Sequence, residues 1–325
     1  MSKKEEKESG IVHPIIVPTS YNVGTINFYL LEVAGSLSLI DAGVNTDECW
    51  NKLNETLHKA GISISDIDRI LLTHHHPDHT GVVNRLLDTS AIPVYAHKEA
   101  IPRLKKDENY LRRRINFFSQ LYEEMGCGQA GKDEVEKLRA WPPSHDYLPI
   151  HSAIEPLNEG DSIAGLQVME TPGHSPDHLV FYNEKTKELF SGDVLIQNIS
   201  SNAMVEPDRQ NRRLLTLVQY IRSLKRCLQW DIDIMYTGHR EAITDHHALI
   251  AERLSKIERK AQKIITSLRQ GTKTANELAI HFYQHKYQSE FPLVISEIIG
   301  YLDYLEAGSR VYKEQKNGIW RYYSV

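Results

Sequence analysis

The 325-residue sequence predicts an α/β fold followed by a smaller unit of three helices and a hairpin. From residue 11 to about residue 245, short apolar runs of strand length alternate with segments of helical spacing, which is typical of layered α/β proteins. Beyond this point the spacing is helical until a final Asn-Gly turn. The length allows a sizeable core and more than one folded unit.

Composition and charge narrow the class of protein. The 41% hydrophobic and 25% charged content is that of an ordinary globular protein. A net charge of −5 gives no overall attraction to nucleic acid or anionic membranes. Three widely spaced cysteines favour a reducing compartment. Residues 1–10 read as a solvated tail without a signal peptide, and no apolar run could span a membrane, so we expect a cytoplasmic location.

The first half of the α/β region begins with two neighbouring strands, at 26–33 and 37–43. Residues 47–61 have helical spacing and end on Gly61, a helix stop. The apolar run at 68–74 then reads as a buried strand. Helix followed by strand is the expected α/β order.

The second half contains a change of pattern and a return to strands. Residues 98–150 are mostly helical and are predicted to form an insertion lying over the site. Strands are then predicted at 166–174, 178–183, 188–193 and 232–239, with a helix at 209–227 before the last of them.

Residues 246–325 read as a linker helix and a small C-terminal domain. Asp245 can cap the long helix, which stops at Gly271. Two further helices and a hairpin about Asn317-Gly318 follow. Three helices followed by a hairpin is the winged-helix pattern.

Several separate apolar strands end in residues that commonly bind metals. The stretch LLTHHHPDHTG, residues 71–81, places four histidines and one aspartate within six positions. Polar side chains at different strand ends gather at one edge of a layered α/β fold. The candidate metal ligands are His74, His76, Asp78, His79, His174, Asp193 and His239.

The residue types suit zinc, with iron or manganese as alternatives, because histidine and carboxylate ligands occur without a thiolate. Seven candidates exceed the four positions of one tetrahedral ion. A site for two Zn²⁺ ions that share Asp193 is therefore the economical arrangement.

The motifs His74-x-His76-x-Asp78-His79, TPGHS, SGD and TGH, in this order, resemble those of the metallo-β-lactamase fold. The resemblance implies a four-layered αββα sandwich over residues 11–245. It also implies a ligand assignment: one metal on His74, His76 and His174, a second on Asp78, His79 and His239, and Asp193 bridging them. Asp41 matches an early aspartate of the family that supports the ligand loop.

The predicted activity is hydrolysis of an ester or thioester by a metal-bound hydroxide, with Asp78 orienting or deprotonating the nucleophile. The C-terminal unit is similar to that of a branch related to the lactamase-like protein 2, which includes single-strand endoribonucleases, whereas TPGHSPDH resembles glyoxalase-II and thioesterases. Cleavage of RNA at the same metals is thus the alternative function. A non-enzymatic DNA-binding regulator is the third hypothesis.

Other histidines are given structural roles. His75 is out of phase with the ligand spacing and is interpreted as a spacer. His178 is assigned a hydrogen-bonding role at least as readily as a catalytic one. His246 and His247 are predicted to lie on the surface.

The charges of two segments indicate which binding partners are expected. Residues 98–114 hold seven Lys/Arg against three Asp/Glu, and a solvated helix face is favoured over a grip on RNA or an anionic thiol carrier. Residues 271–325 hold six of each sign, with no basic residue in the helix at 292–308. Duplex DNA is therefore a disfavoured partner, and packing against the catalytic domain or a second subunit of a homodimer is expected.

Overall fold

The computed structural model describes residues 10–140, 148–271 and 274–325. Nearly all of the predicted tail, and residues 141–147 of the predicted insertion, lie outside the described residues.

The first sheet has six strands in sequence order. They are β1 Ile11–Pro18, β2 Thr25–Val33, β3 Ser36–Ile40, β4 Arg69–Leu71, β5 Val94–His97 and β6 Ile154–Leu157. The first three pair antiparallel, and β3 to β6 pair parallel. The parallel half carries β4, whose end starts the histidine-rich stretch.

The second sheet has five strands in the order β11-β10-β9-β8-β7. These are β7 Ser162–Ile163, β8 Leu166–Glu170, β9 Leu179–Asn183, β10 Glu188–Gly192 and β11 Ile234–Thr237. β10 and β11 are parallel, and β7 to β10 are antiparallel. The hairpin β12 Val311–Lys316 and β13 Ile319–Ser324 forms a separate pair.

The helices lie outside the two sheets or in the C-terminal unit. They are α1 Asp47–Ala60, α2 Pro77–Thr80, α3 Val83–Thr89, α4 Ile101–Leu104, α5 Glu108–Glu124, α6 Gly128–Arg139, α7 Thr216–Cys227, α8 His246–Arg269, α9 Ala275–Tyr283 and α10 Phe291–Ala307. A 3₁₀ turn spans Ile64–Asp66. None of these helices, within the part of the chain described, is long and apolar enough to cross a bilayer.

Alternating side chains bury both faces of each sheet. In β2, Phe28 packs toward α1 and α3, whereas Tyr29 packs in the core between the sheets. In β9, Phe181 shares that central core and Val180 faces the helices on the other side. Because strand side chains alternate between faces, helices cover both outer surfaces and the order of layers is helix, sheet, sheet, helix.

The C-terminal helices and hairpin pack directly on the α/β part. Tyr322 is fully buried, and its hydroxyl approaches Met125 Sδ at 3.6 Å. The Phe291 and Tyr122 rings meet with centroids 5.2 Å apart. Arg213 Nη2 lies 2.7 Å from Asp303 Oδ1. The expected packing of the C-terminal unit against the α/β part is thus present, and one continuous apolar core joins the two parts.

Local chemistry sets the ends of two helices, and a third helix starts later than the sequence predicted. Gly61, at φ 70°, ends α1, and the Asp245 side chain accepts a hydrogen bond from Ala248 N at the start of α8. The helix predicted at 209–227 begins only at Thr216. Asp208 accepts hydrogen bonds from the backbone amides of Gln210 and Arg212, and these bonds close a turn in place of the first helical turns.

Candidate metal centre

Four strand ends deliver seven polar residues to one edge of the sandwich, and we call them the seven-residue cluster. His74 lies three residues beyond β4, and His174, Asp193 and His239 follow β8, β10 and β11. The short helix α2 starts with proline and carries Asp78 and His79, while His76 precedes it. The structure therefore brings together all the residues that the sequence selected as candidate ligands.

The first group consists of three imidazoles. His76 Nδ1 lies 3.0 Å from His74 Nε2 and 3.0 Å from His174 Nε2. His74 and His174 are buried, and His76 is half-buried. Three ring nitrogens that converge in this way can bind one cation at a common centre.

The second group adds a carboxylate to two imidazoles. One ligand atom from each of Asp78, His79 and His239 lies within 4.8 Å of the others. His239 Nε2 is 3.4 Å from Asp78 Oδ2. This group is the one that the family resemblance assigned to a second metal.

Asp193 lies between the two groups. Its Oδ2 is 3.5 Å from His174 Nε2 and 3.3 Å from His239 Nε2, and its Oδ1 is 3.5 Å from His79 Nε2. The carboxylate thus contacts a nitrogen of each group. This position suits a ligand shared by two ions.

Hydrogen bonds on the outer side of four rings turn the other nitrogen inward. Nδ1 of His174 donates to Asn202 O at 3.0 Å, and Nδ1 of His239 donates to Thr25 O at 2.7 Å. A ring that carries its hydrogen on Nδ1 presents the lone pair of Nε2 to the centre. Such outer partners fix the tautomer and orientation of metal-binding histidines.

Asp41 performs this task for the ligand loop. Its carboxylate accepts hydrogen bonds from Thr73 N at 2.8 Å, from the Thr73 hydroxyl and from His79 Nδ1 at 2.8 Å. The same hydroxyl lies 3.0 Å from His74 Nδ1. One buried carboxylate therefore orients a histidine of each group, as the family resemblance implied.

Burial and charge set the protonation of the cluster. Burial lowers the pKa of His74 and His76 well below 6.5, so both rings are neutral and offer lone pairs. Burial also acts on His239, but the neighbouring Asp193 outweighs it and raises the pKa of that ring to about 10. A cation is electrostatically favoured beside Asp193, and metal ions compete with protons for such positions.

Two buried polar atoms of the cluster that lack a hydrogen-bond partner among the described residues also fit a metal site. His79 Nε2 and Asp193 Oδ1 are buried and have no hydrogen-bond partner among the described residues. Buried polar atoms are normally paired, so both point to an additional partner between them. Nitrogen and carboxylate oxygen donors of this kind bind zinc, iron or manganese.

Two glycines lie directly against the cluster. A Cβ at Gly238 would lie 2.4 Å from Asp193 Oδ1, and one at Gly192 would lie 2.8 Å from Thr73 Oγ1. Gly192 also has a φ of +45°, which L side chains rarely adopt. Close approach of the strand ends therefore requires glycine in SGD and TGH.

His75 is more than a spacer. Its backbone N lies 2.8 Å from Asp177 Oδ2 and its Nδ1 2.7 Å from Asp177 Oδ1, and the ring lines the neighbouring pocket. The pairing spans 102 residues, so spacing within the stretch could not reveal it.

His178 makes the hydrogen bonds of a structural role, which the sequence ranked at least equal to a catalytic one. Its Nδ1 lies 2.8 Å from Thr171 Oγ1, and its Nε2 accepts a hydrogen bond from Asp193 N at 3.0 Å.

The prediction that His246 and His247 both lie on the surface is wrong for one of them. His247 is exposed, but His246 is 4% exposed because the start of α8 packs against the domain.

A pocket of about 230 Å³ opens beside His76 and His174. The helices of the insertion form its far wall, as expected of a segment lying over the site. Arg103 and Arg114 line it, and Arg103 is 4% exposed. The solvated-face interpretation of residues 98–114 is wrong for these two arginines, which turn inward to Glu206.

Comparison with known proteins supports this picture. The sequence profile described as "Metallo-beta-lactamase superfamily" matches residues 21–239. The chain is 35% identical over 298 residues to the probable metallo-hydrolase YqjP of Bacillus subtilis, covering 90% of this chain and 91% of that protein.

Two further matches concern architecture and chemistry. A crystal structure of a metallo-beta-lactamase family protein from Thermus thermophilus aligns with a TM-score of 0.77 and 27% identity, covering 97% of this chain and 98% of that one. An atrochrysone carboxyl ACP thioesterase of Aspergillus novofumigatus is 25% identical over 80% of this chain and 62% of its own length.

Proposed function

The chain belongs to the metallo-β-lactamase superfamily, in which it is a metallo-hydrolase, and we propose that its substrate is a small ester or thioester. The observation that carries this proposal is the pocket of about 230 Å³ that His76 and His174 line. A pocket that contains candidate metal ligands places a bound carbonyl next to the cluster.

We propose the seven-residue cluster as a site for two metal ions, zinc in the first instance and iron or manganese as alternatives. His74, His76 and His174 would hold one ion, and Asp78, His79 and His239 the other, with Asp193 shared. When bound, such ions lower the pKa of water toward neutrality and polarise a carbonyl oxygen.

Asp78 is assigned the catalytic carboxylate. Its side chain is 33% exposed, against 7% for that of Asp193, so it is the more accessible of the two carboxylates to an attacking water. Asp78 Oδ2 would accept the hydrogen bond that orients this water and take up its proton. The more buried Asp193 is proposed only as the shared ligand.

The insertion helices supply apolar residues to the pocket. Leu111, Ile115 and Leu138 contribute apolar surface there, opposite the histidines. An apolar wall facing polar groups suits the acyl part of an ester or thioester. The similarity to an acyl carrier protein thioesterase supports the same class of bond.

We further infer that the C-terminal helices and hairpin form a winged-helix unit whose work is packing. Helix α10 buries most of its surface against α7 and the hairpin, and it carries no basic residue. Phosphate-driven DNA binding needs a basic face. A homodimer and a cytoplasmic location complete the proposal.

A substrate panel tests the proposal. Purified full-length protein reconstituted with Zn²⁺ is assayed on a neutral acyl thioester, a p-nitrophenyl ester and a labelled single-stranded RNA, with Asp78→Ala as the control for contaminating enzymes. We expect metal-dependent turnover of the thioester or ester that Asp78→Ala abolishes. Cleavage of RNA with no turnover of either small substrate would overturn the proposal in favour of an endoribonuclease.

A further inference from the structure

Two arginines and one glutamate build a wall of the pocket beside the cluster. Arg114 Nη2 lies 2.8 Å from Glu206 Oε1, and Arg114 Nε lies 3.1 Å from the same oxygen. Arg103 Nη2 lies 3.8 Å from Glu206 Oε2. The two guanidinium groups come from the insertion, from α4 and α5, and share a single carboxylate.

The wall is rigid. The Arg103 guanidinium lies 4.8 Å from the centre of the Tyr110 ring, and that of Arg114 lies 4.8 Å from the centre of the Phe118 ring. Cation–π contact and the shared carboxylate hold both groups in place. Little side-chain entropy is therefore left to lose when a ligand binds.

Positive charge exceeds negative charge at this wall. Of the residues that line the pocket, Arg103, Lys106 and Arg114 are basic, and Glu206 carries the one carboxylate among them. Asp177 does not line the pocket; its carboxylate accepts two hydrogen bonds from His75 and also attracts Arg103.

Arg103 Nε is buried without a hydrogen-bond partner among the described residues. Arg103 Nη1 donates to Glu99 O, so Nε is the part of this guanidinium that lacks a partner within the described chain. A buried cation that is incompletely paired is costly, so the arrangement favours an additional anion.

The pKa of a neighbouring lysine also reflects this positive charge. Lys106 also lines the pocket, and burial, followed by repulsion from Arg114, lowers its pKa to about 8. Lowering by a like charge indicates a positive local potential. The pocket thus combines apolar surface, candidate metal ligands and a positive end.

We propose that Arg103 and Arg114 bind an anionic group of the substrate, at the end away from the bond that is cleaved. This inference rests on the proposed function and defines its substrate class as esters or thioesters that carry a carboxylate or phosphate. Guanidinium groups recognise both anions by charge-assisted hydrogen bonds.

The anionic group belongs either to the acyl part of the substrate or to its thiol part. Arg103, Tyr110 and Arg114 also line a second groove, of about 660 Å³, to which Arg113 and Arg209 contribute. An acyl carboxylate reaches the wall from within the first pocket, whereas the phosphates of a longer thiol carrier would lie along the second groove.

Matched substrates separate these sources. The pentanoyl thioester of N-acetylcysteamine is neutral, the glutaryl thioester of the same thiol adds a carboxylate, and pentanoyl-coenzyme A adds phosphates. We expect wild-type kcat/KM to be at least tenfold higher for one anionic substrate than for the neutral one. Arg114→Gln should lower this ratio about 10- to 100-fold, the range for loss of a charge-assisted hydrogen bond.

The controls are drawn from the same helix. Arg114→Lys keeps the charge but lacks the planar guanidinium, so it should recover part of the ratio. Arg112→Gln removes an arginine whose side chain is 71% exposed and paired with Glu108, and it should leave the ratio unchanged.

A binding measurement keeps this inference distinct from the proposed function. Calorimetric titration of the wild-type protein with glutarate and with coenzyme A, each compared with Arg114→Gln, reports anion binding without turnover. Equal kcat/KM for all three thioesters would overturn the inference and leave the hydrolase proposal intact. Failure of every thioester and of the p-nitrophenyl ester, with glutarate or coenzyme A still bound in an Arg114-dependent manner, would overturn the proposed function alone. Loss of both turnover and binding would overturn both.

Discussion

Replacing Gly238 by alanine probes how closely the backbone surrounds the seven-residue cluster. A Cβ at this position would lie 2.4 Å from Asp193 Oδ1 and 2.5 Å from His79 Cε1. Ordinary van der Waals contact begins at 3.4 Å, so one of these side chains must move by about 1 Å. Gly238 does not have a positive φ, so the methyl group alone causes the change.

The backbone cannot move away to make room. Gly238 N donates to Gly192 O at 2.9 Å, and Gly238 O accepts from Asn27 N at 2.8 Å. Overpacking of this kind costs roughly 1–3 kcal/mol of stability. Metal–ligand distances in proteins vary by only about 0.2 Å, so a ligand displaced by about 1 Å binds the metal poorly. We therefore expect zinc affinity to fall by about 10- to 100-fold or more.

Competition with a chromophoric chelator measures the affinity, and thermal unfolding in EDTA measures stability apart from bound metal. Gly308→Ala is the matched control, because its Cβ would meet its nearest neighbour, Tyr304 O, at 3.5 Å. A folded Gly238→Ala protein whose zinc Kd stays within twofold of the wild-type value would refute the close-packed geometry.

Two further substitutions address the support of the site and the C-terminal contact. Asp41→Asn removes the charged acceptor of His79 Nδ1, so zinc affinity should fall about 10- to 100-fold while the circular dichroism spectrum is unchanged. Burial raises the pKa of Asp303 to about 6 although Arg213 opposes this. A raised folded-state pKa means that stability is lost as pH rises, here from about 4 to about 6, by roughly 3 kcal/mol at most. Asp303→Asn should remove this part of the pH dependence in chemical unfolding.

These two predictions have separate controls. Asp47→Asn changes a carboxylate whose side chain is 83% exposed and should leave zinc affinity unaffected, whereas equal effects at both positions would argue against a role for Asp41. For Asp303, a wild-type and a variant profile that run parallel between pH 4 and pH 6 would contradict the buried-carboxyl interpretation.

Local patterns in the sequence located the candidate ligands and the strands that carry them, whereas β1, β5, β6 and β7 were not singled out. Each ligand motif is short, and a strand end that carries His74 or Asp193 can be recognised without knowing its neighbours. The Asn317-Gly318 turn was recognisable for the same reason, because both residues adopt positive φ there, at 52° and 80°. Short-range chemistry decides these features.

Long-range pairs could not be read in this way. Arg114 and Glu206 are 92 residues apart, so a helix with basic residues looked like a solvated face. The partner of His75 is 102 residues away. His246 is likewise buried because the start of α8 packs against the domain, and the local spacing of residues does not indicate this. Such contacts depend on the assembled layers.

Metal content per chain tests the central claim most directly. Protein stripped with a chelator, reconstituted with Zn²⁺ and freed of excess ion is analysed by inductively coupled plasma mass spectrometry, alongside Asp193→Ala. The account predicts close to two ions per wild-type chain and a clear loss in the variant, because Asp193 contacts both groups. A wild-type chain that is folded and retains no zinc, iron or manganese would contradict it.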